Sequence, residues 1–188
     1  MTRTPPTLPT LMRAAGALAA LMVAAGCASS SLGRPAASPP PTTASAASPS
    51  PSSPAQQALA AYRAMWADVV AASATSDYQA TDLTDHLAGQ ALVTLTENMA
   101  VLQAHGIIAL GSPTLHPNVI TTSPTSITLR DCLDDTHWLQ YYASTHQLVD
   151  NTPGGHRYTT ATIQDQAGIW KVTEMTVEAD GTCTAPTS

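Results

Sequence analysis

The chain has 188 residues, a formal net charge of −6 and a hydrophobic fraction of 44%. This length is enough for one domain with a single core. Seven Lys and Arg residues against 13 Asp and Glu residues would repel phosphate backbones, so we expect no nucleic-acid partner.

The N-terminus has the pattern of a secretory signal peptide. Arg3 and Arg13 precede an uncharged apolar run over residues 14–25. About a dozen apolar residues are too few for a stable membrane span, which needs roughly 20. We therefore expect residues 1–26 to be an export signal that is not part of the fold.

The end of this segment, Val23-Ala-Ala-Gly-Cys27, resembles a bacterial lipobox. In that motif the cysteine is diacylated, and two acyl chains anchor a protein stably where one chain is marginal. The resemblance implies that Cys27 is lipidated and that the chain is held on the extracytoplasmic face of the cell membrane. Ala24 stands where leucine is commonest in the motif, and an ordinary secretory signal is the alternative.

Residues 27–52 read as a tether. After Cys27 they are almost entirely Ser, Ala, Pro, Thr and Gly. Such a composition has too few bulky apolar groups to offset the entropy of ordering, so we expect disorder with a polyproline bias. Residues 53–188 remain as a single predicted domain.

The domain should begin with a capped helix. Ser53-Pro54-Ala55-Gln56 offers a serine N-cap, a proline at the first helical position and a glutamine that completes a capping box. Tyr62 and Trp66 then recur at helical spacing and predict an apolar face turned to a core. We expect this helix to end near Ala74.

Two further helices are predicted. Residues 81–87 have a possible threonine cap at Thr81 and would form about two turns. A longer helix follows, with Leu92, Leu95, Met99 and Leu102 on one stripe, and Gly106 as a left-handed C-cap.

Beyond Gly106 the sequence is rich in Thr, Val, Ile and Tyr between turn signals, which favours an antiparallel sheet. The candidate strands are residues 114–122, 126–133, 136–144, 156–164 and 169–177. Their short connections predict that neighbours in sequence pair as a meander. The fold class is therefore α+β, with N-terminal helices packed on a curved antiparallel sheet.

This order of elements, with a last strand reading Gly-Ile-Trp-Lys-Val-Thr-Glu-Met-Thr-Val over residues 168–177, resembles the nuclear transport factor 2-like (ketosteroid isomerase-like) cone fold. A closer resemblance is to uncharacterised secreted lipoproteins of high-GC Gram-positive bacteria. It rests on residues 61–66, 131–134, 153–157, 170–172 and 181–183, and covers about residues 55–183. It implies a secreted cone-shaped domain and carries no activity.

Cysteine pairing follows from the export signal. With Cys27 lipidated, Cys132 and Cys183 are an even pair in an oxidising compartment. We expect a disulfide that closes a loop of about fifty residues, with two free thiols as the alternative.

The densest run of reactive groups is Thr-Leu-Arg-Asp-Cys-Leu-Asp-Asp-Thr-His-Trp, residues 128–138. We interpret it as a strand end, a tight turn at Asp134-Asp135 and the start of another strand. Strand alternation places Asp131 on the apolar face of Ile127 and Leu129. Asp131 is therefore the residue of this run that stays a functional candidate.

An isomerase-like site would need a carboxylate base facing a hydroxyl donor. Asp131 could be the base, and Tyr62, Tyr141 or Tyr142 the donor. No two histidines have the spacing of a metal pair, and nucleophile elbows and phosphate-binding glycine loops are missing. We therefore predict neither a metal site nor a cofactor.

The sequence favours a membrane-anchored extracytoplasmic lipoprotein with a non-catalytic domain that binds an envelope protein or a small molecule. Two alternatives stay open. One is an extracytoplasmic enzyme that uses the cone cavity with Asp131 and a tyrosine. The other is a structural component of an envelope or conjugation assembly.

Overall fold

A computed structural model of the protein describes residues 52–152 and 154–184. The predicted signal peptide, Cys27 and all of the predicted tether except Ser52 lie outside the described residues. Within the described part, no helix is both long and apolar enough to cross a membrane.

Three helices precede six strands in this part of the chain, which confirms the α+β class. The helices are α1 (Pro54–Ser73), α2 (Leu83–His86) and α3 (Gly89–Ala104). The strands are β1 (Ile107–Gly111), β2 (Pro117–Thr122), β3 (Ser126–Asp134), β4 (Trp138–Tyr142), β5 (His156–Gln166) and β6 (Ile169–Val177).

Helix α1 begins with the predicted capping box. The Ser53 side chain accepts a 3.2 Å hydrogen bond from the Gln56 backbone N–H, and the Gln56 side chain accepts a 2.9 Å bond from the Ser53 N–H. Two N–H groups that lack helical partners are thereby satisfied. Tyr62 and Trp66 lie on the buried face, as predicted.

Helix α2 is a single turn and shorter than predicted. The expected cap at Thr81 is wrong, because the N-cap position is Asp82 and its side chain makes no capping bond. The Thr81 carbonyl instead accepts a bond from the Thr84 hydroxyl. A helix this short is not stable by itself, so the position of α2 depends on the packing of its buried residue Leu83.

Helix α3 lies between two glycines with left-handed backbone. Gly89 has φ +56° and Gly106 has φ +65°, a conformation that costs glycine little. A Cβ atom at Gly89 would also lie only 3.0 Å from the Thr173 carbonyl oxygen. The predicted cap at Gly106 is confirmed, and Gly89 lets the start of α3 approach β6.

The main sheet has the order β2-β3-β5-β6, and all its pairs are antiparallel. The register shifts between Val119 and Thr121 in β2 and between Thr162 and Ile163 in β5. Such irregularities bend strands and increase their twist. They supply the local bending that a curved sheet requires.

The predicted meander is wrong at β4. Strands β3 and β4 are consecutive but do not pair, because β4 pairs with β1 in a separate two-stranded sheet. Strand β5 takes the place beside β3 over nine residue pairs. Strand β1 is not among the candidate strands, because Ile107-Ile-Ala-Leu-Gly111 is too short to show alternation.

The core lies between α1, α2 and the inner face of the main sheet. On β3 the predicted alternation is confirmed, because Ile127, Leu129 and Asp131 are all fully buried. Leu83 and Leu87 close the core beside α1, and Leu87 bridges to Val172 of β6.

Candidate functional site

A groove between α1 and α3 is the candidate binding site in the described part of the chain. It has two adjoining halves, of about 350 and 250 Å³, and both are lined by Leu95, Asn98 and Trp138. The first half is also lined by Trp66, Val69, Ala91, Thr94, Met175 and Val177. The second is also lined by Ser73, Met99, Leu102, Ala109, Asp135 and Gln140.

The groove exists because α3 is incompletely covered. Its 16 residues are apolar on several sides and carry a single charge, at Glu97, yet only Ala91 and Met99 are buried. Helix α3 packs on β6 and β1. Leu95 and Leu102, which the sequence assigned to a core stripe, are therefore half-buried lining residues of the groove.

Two tryptophans form the wall opposite α3. The rings of Trp66 and Trp138 meet edge to face, with centroids 5.6 Å apart and an interplanar angle of 89°, a favoured aromatic geometry. The indole Nε1–H of each has no hydrogen-bond acceptor among the described residues. Trp66 also packs against Tyr62, where burial raises the pKa of the phenol and Trp66 opposes that rise. The N–H of Trp138 is therefore the clearer unsatisfied donor.

The second half of the groove has a polar end. Ser73, Asn98, Gln140 and Asp135 line it. The carboxylate of Asp135 accepts a 2.6 Å bond from the Gly155 N–H and forms a 3.1 Å ion pair with Arg157. These partners fix the carboxylate at the groove. Neither half is lined by a Lys, Arg or His residue.

The sequence-predicted pair, Asp131 and Tyr62, is brought together away from this groove. The Tyr62 hydroxyl donates a 3.0 Å hydrogen bond to Asp131 Oδ2, and the His116 backbone N–H donates a 2.6 Å bond to Oδ1. Both side chains are fully buried. Neither side chain lines the groove.

Burial dominates the titration of both groups. It raises the pKa of the Asp131 carboxyl above its ordinary value, while the bonds from His116 and Tyr62 oppose that rise. Burial, followed by the negative charge of Asp131, raises the pKa of Tyr62 far above its ordinary value. Tyr62 is therefore a hydrogen-bond donor at any physiological pH.

The other candidate tyrosines lie elsewhere. Tyr141 and Tyr142 are on β4, opposite Ile108 and Ile107 of β1. Tyr142 is 42% exposed. The structure thus brings one of the three tyrosines, Tyr62, to Asp131.

The predicted disulfide between Cys132 and Cys183 is present. It joins Cys183, in the segment after β6, to Cys132 on β3. That segment also donates from the Glu178 N–H to the Tyr158 carbonyl and from the Gly181 N–H to the His156 carbonyl, each at 2.8 Å. The role of Cys132 is structural.

The turn at Asp134-Asp135 is tight, as expected. The Thr136 N–H and hydroxyl both donate to Asp134, at 3.0 and 2.7 Å, and they lower the pKa of that carboxyl. Within residues 52–152 and 154–184, no cluster of His, Cys, Asp and Glu residues could hold a metal ion.

Sequence reasoning missed the groove. The sequence places Asp135 in a turn and Trp138 at the start of a strand, and it does not single out Asn98. One signal was available: a helix with apolar residues on several sides and one charge cannot bury all of them against a single sheet. That pattern in α3 favours a half-covered helix beside a cavity.

Comparisons with known proteins give only distant likenesses. No protein-family model matches the chain, and no curated protein matches it. The intermembrane space region of the chloroplast protein ARC6 is similar at 19% identity and a TM-score of 0.45, over 69% of this chain and 100% of that one.

Two other solved structures are similar to this chain. A protein of unknown function with a cystatin-like fold from Nostoc punctiforme has 13% identity and a TM-score of 0.39, over 66% of this chain and 92% of its own. A putative scytalone dehydratase from Novosphingobium aromaticivorans has 14% identity and a TM-score of 0.34, over 68% and 89%. All these scores are below 0.5, so the α+β fold rests on the elements of this chain itself.

Proposed function

We propose that this protein is an extracytoplasmic lipoprotein, anchored through Cys27, whose domain binds a small, largely apolar molecule in the groove between α1 and α3 without transforming it. The groove carries this proposal. Its size and its mixture of aromatic and aliphatic walls with a few polar groups are typical of small-molecule sites.

The unpartnered indole N–H of Trp138 supports a bound molecule. A buried donor without an acceptor costs about 1–3 kcal/mol, and such a group in a native structure calls for an explanation. This N–H is itself buried, so an acceptor on a ligand would satisfy it when the Trp138 ring turns towards the groove on binding. Catalysis in the groove itself would need a base or nucleophile, and the ionisable side chain of its lining is Asp135 alone, which is held by Gly155 and Arg157.

A second candidate function is catalysis by Asp131 and Tyr62, because their 3.0 Å contact joins a carboxylate to a hydroxyl donor. A general base must come within hydrogen-bond reach of the proton that it removes. Both side chains are fully buried, and the two oxygens of Asp131 already accept bonds from Tyr62 and His116. This arrangement favours a structural role for the pair.

Binding can be tested by screening small apolar molecules for thermal stabilisation of the domain. A ligand at 100 times its dissociation constant should add about 2.7 kcal/mol to the free energy of unfolding. Stabilisation that is lost when the groove is filled by mutation supports the proposal. A screen in which no apolar molecule stabilises the domain contradicts it.

The anchor has a separate test. Replacing Cys27 by Ala should release the protein from the membrane fraction or stall its processing. Unchanged retention in the membrane by the Cys27→Ala variant would contradict lipidation. A pull-down from envelope extracts addresses the interaction alternative, and a specific protein partner that binds equally when the groove is blocked would favour that alternative.

A further inference from the structure

We infer that the groove selects an uncharged apolar molecule that bears a hydroxyl-type polar group, and that it rejects apolar anions such as fatty acids. This inference rests on the proposed binding function and names the chemical class of the ligand.

The apolar body of such a molecule fits the first half of the groove. Trp66, Val69, Leu95 and Met175 line that half, and their side chains offer aromatic and aliphatic contact. Burial of apolar ligand surface there is favourable by roughly 25 cal/mol per Å². This term attracts alcohols and fatty acids with the same alkyl chain alike, so the discrimination must come from the other end.

The second half sets the charge preference. Asp135 contributes a carboxylate to its lining, and no cationic side chain lines either half. Arg157 pairs with Asp135 at 3.1 Å but does not itself line the groove. Because Arg157 is already engaged by Asp135, a ligand carboxylate would lose its hydration beside the Asp135 oxygens without gaining a salt bridge of its own, which is unfavourable.

A ligand hydroxyl can use both the hydrogen-bond acceptors and the hydrogen-bond donors of the groove. It has one donor and two acceptor lone pairs. It can donate to Asp135 or Gln140, which line the polar end. When the Trp138 ring turns towards the groove, the hydroxyl can also accept from its buried Nε1–H, which has no acceptor among the described residues. An anion can only accept, so it cannot donate a hydrogen bond to Asp135 as a hydroxyl can.

The experiment compares octanol and octanoate, which share one alkyl chain. Binding to the domain is followed by tryptophan fluorescence, which responds to the groove because two of the three tryptophans, Trp66 and Trp138, line it. At neutral pH, octanol should bind at least about tenfold more tightly than octanoate, equivalent to about 1.4 kcal/mol.

Two variants, Asp135→Asn and Gln140→Lys, and one control, Asp134→Asn, show whether the groove causes this preference. Asp135→Asn should narrow the difference, whereas Asp134→Asn, at a neighbouring carboxylate outside the lining, should leave it unchanged. Because Asp135 also holds Gly155 and Arg157, a second variant keeps that pair intact. Gln140→Lys places a cation at the polar end and should strengthen octanoate binding by about tenfold.

The outcomes are distinct. If octanoate binds as tightly as octanol, or if Gln140→Lys leaves octanoate binding unchanged, the ligand class is wrong while a binding groove stands. If neither molecule binds the native domain, both the ligand class and the proposed function are overturned.

Discussion

The hydroxyl of Tyr62 on α1 donates a 3.0 Å hydrogen bond to Oδ2 of Asp131 on β3, and both side chains have no exposed surface. The two residues are 69 positions apart in sequence. Their bond joins the first helix to the centre of the main sheet through the core. A buried polar pair of this kind stabilises only while each partner keeps the other satisfied.

Replacing Tyr62 by Phe should destabilise the domain. The change removes one donor and leaves Asp131 with the His116 N–H alone, at a cost of about 1–3 kcal/mol in the free energy of unfolding. Urea denaturation measures this loss. Tyr142→Phe is the matched control, because Tyr142 is 42% exposed and its hydroxyl should matter little. Equal stability of the two variants would contradict a structural role for the pair.

Replacing Asp131 by Asn should change how stability depends on pH. Burial raises the pKa of Asp131 in the folded state, so between about pH 4, where the unfolded carboxyl titrates, and the raised value, the folded state binds more protons. Stability should therefore fall as pH rises through this window and level off above it.

The Asp131→Asn variant cannot ionise at this position, so this fall should be absent from its curve. The side-chain amide of this variant can still accept a hydrogen bond from His116 and donate one to the Tyr62 oxygen, so the variant keeps both contacts of Asp131 and differs from it in charge. The measurement is the free energy of unfolding of both proteins from pH 4 upward. Parallel curves would show that the Asp131 pKa is not raised by folding.

Removing the disulfide should destabilise the domain strongly. Cys132 and Cys183 are 51 residues apart, and on the chain-entropy model a loop of this length contributes about 4 kcal/mol. The variant with both cysteines replaced by Ser should lose about this much and become insensitive to reductant. The native protein should lose a similar amount when reduced, and a native protein unaffected by reduction would contradict the assignment.

Local signals in the sequence predicted much of the fold. The capping box at Ser53, the C-cap at Gly106 and the burial of Asp131 each depend on a few adjacent residues, and each is confirmed. The disulfide was also predicted, because Cys132 and Cys183 are an even pair once Cys27 is assigned to lipidation.

The parts that could not be predicted depend on distant contacts. Strand β1 has no alternation of its own and is defined by pairing with β4, from Ile107 opposite Tyr142 to Gly111 opposite Trp138. The groove depends on the same pairing, since it brings Trp138 towards α1 and α3. A stripe of leucines on α3 predicts a buried face, but only tertiary packing decides that part of this face lines a cavity.

The central claim is that the α1–α3 groove binds a small apolar molecule, and filling that groove tests it most directly. Asn98 lines both halves of the groove, whereas its neighbour Glu97 lines neither, so Asn98→Trp and Glu97→Trp place the same bulk inside and outside the site. Octanol binding to the native domain and both variants is measured by titration calorimetry. The account predicts binding at least about tenfold weaker for Asn98→Trp and unchanged for Glu97→Trp. Equal affinities for the two variants, or no binding to the native domain, would contradict it.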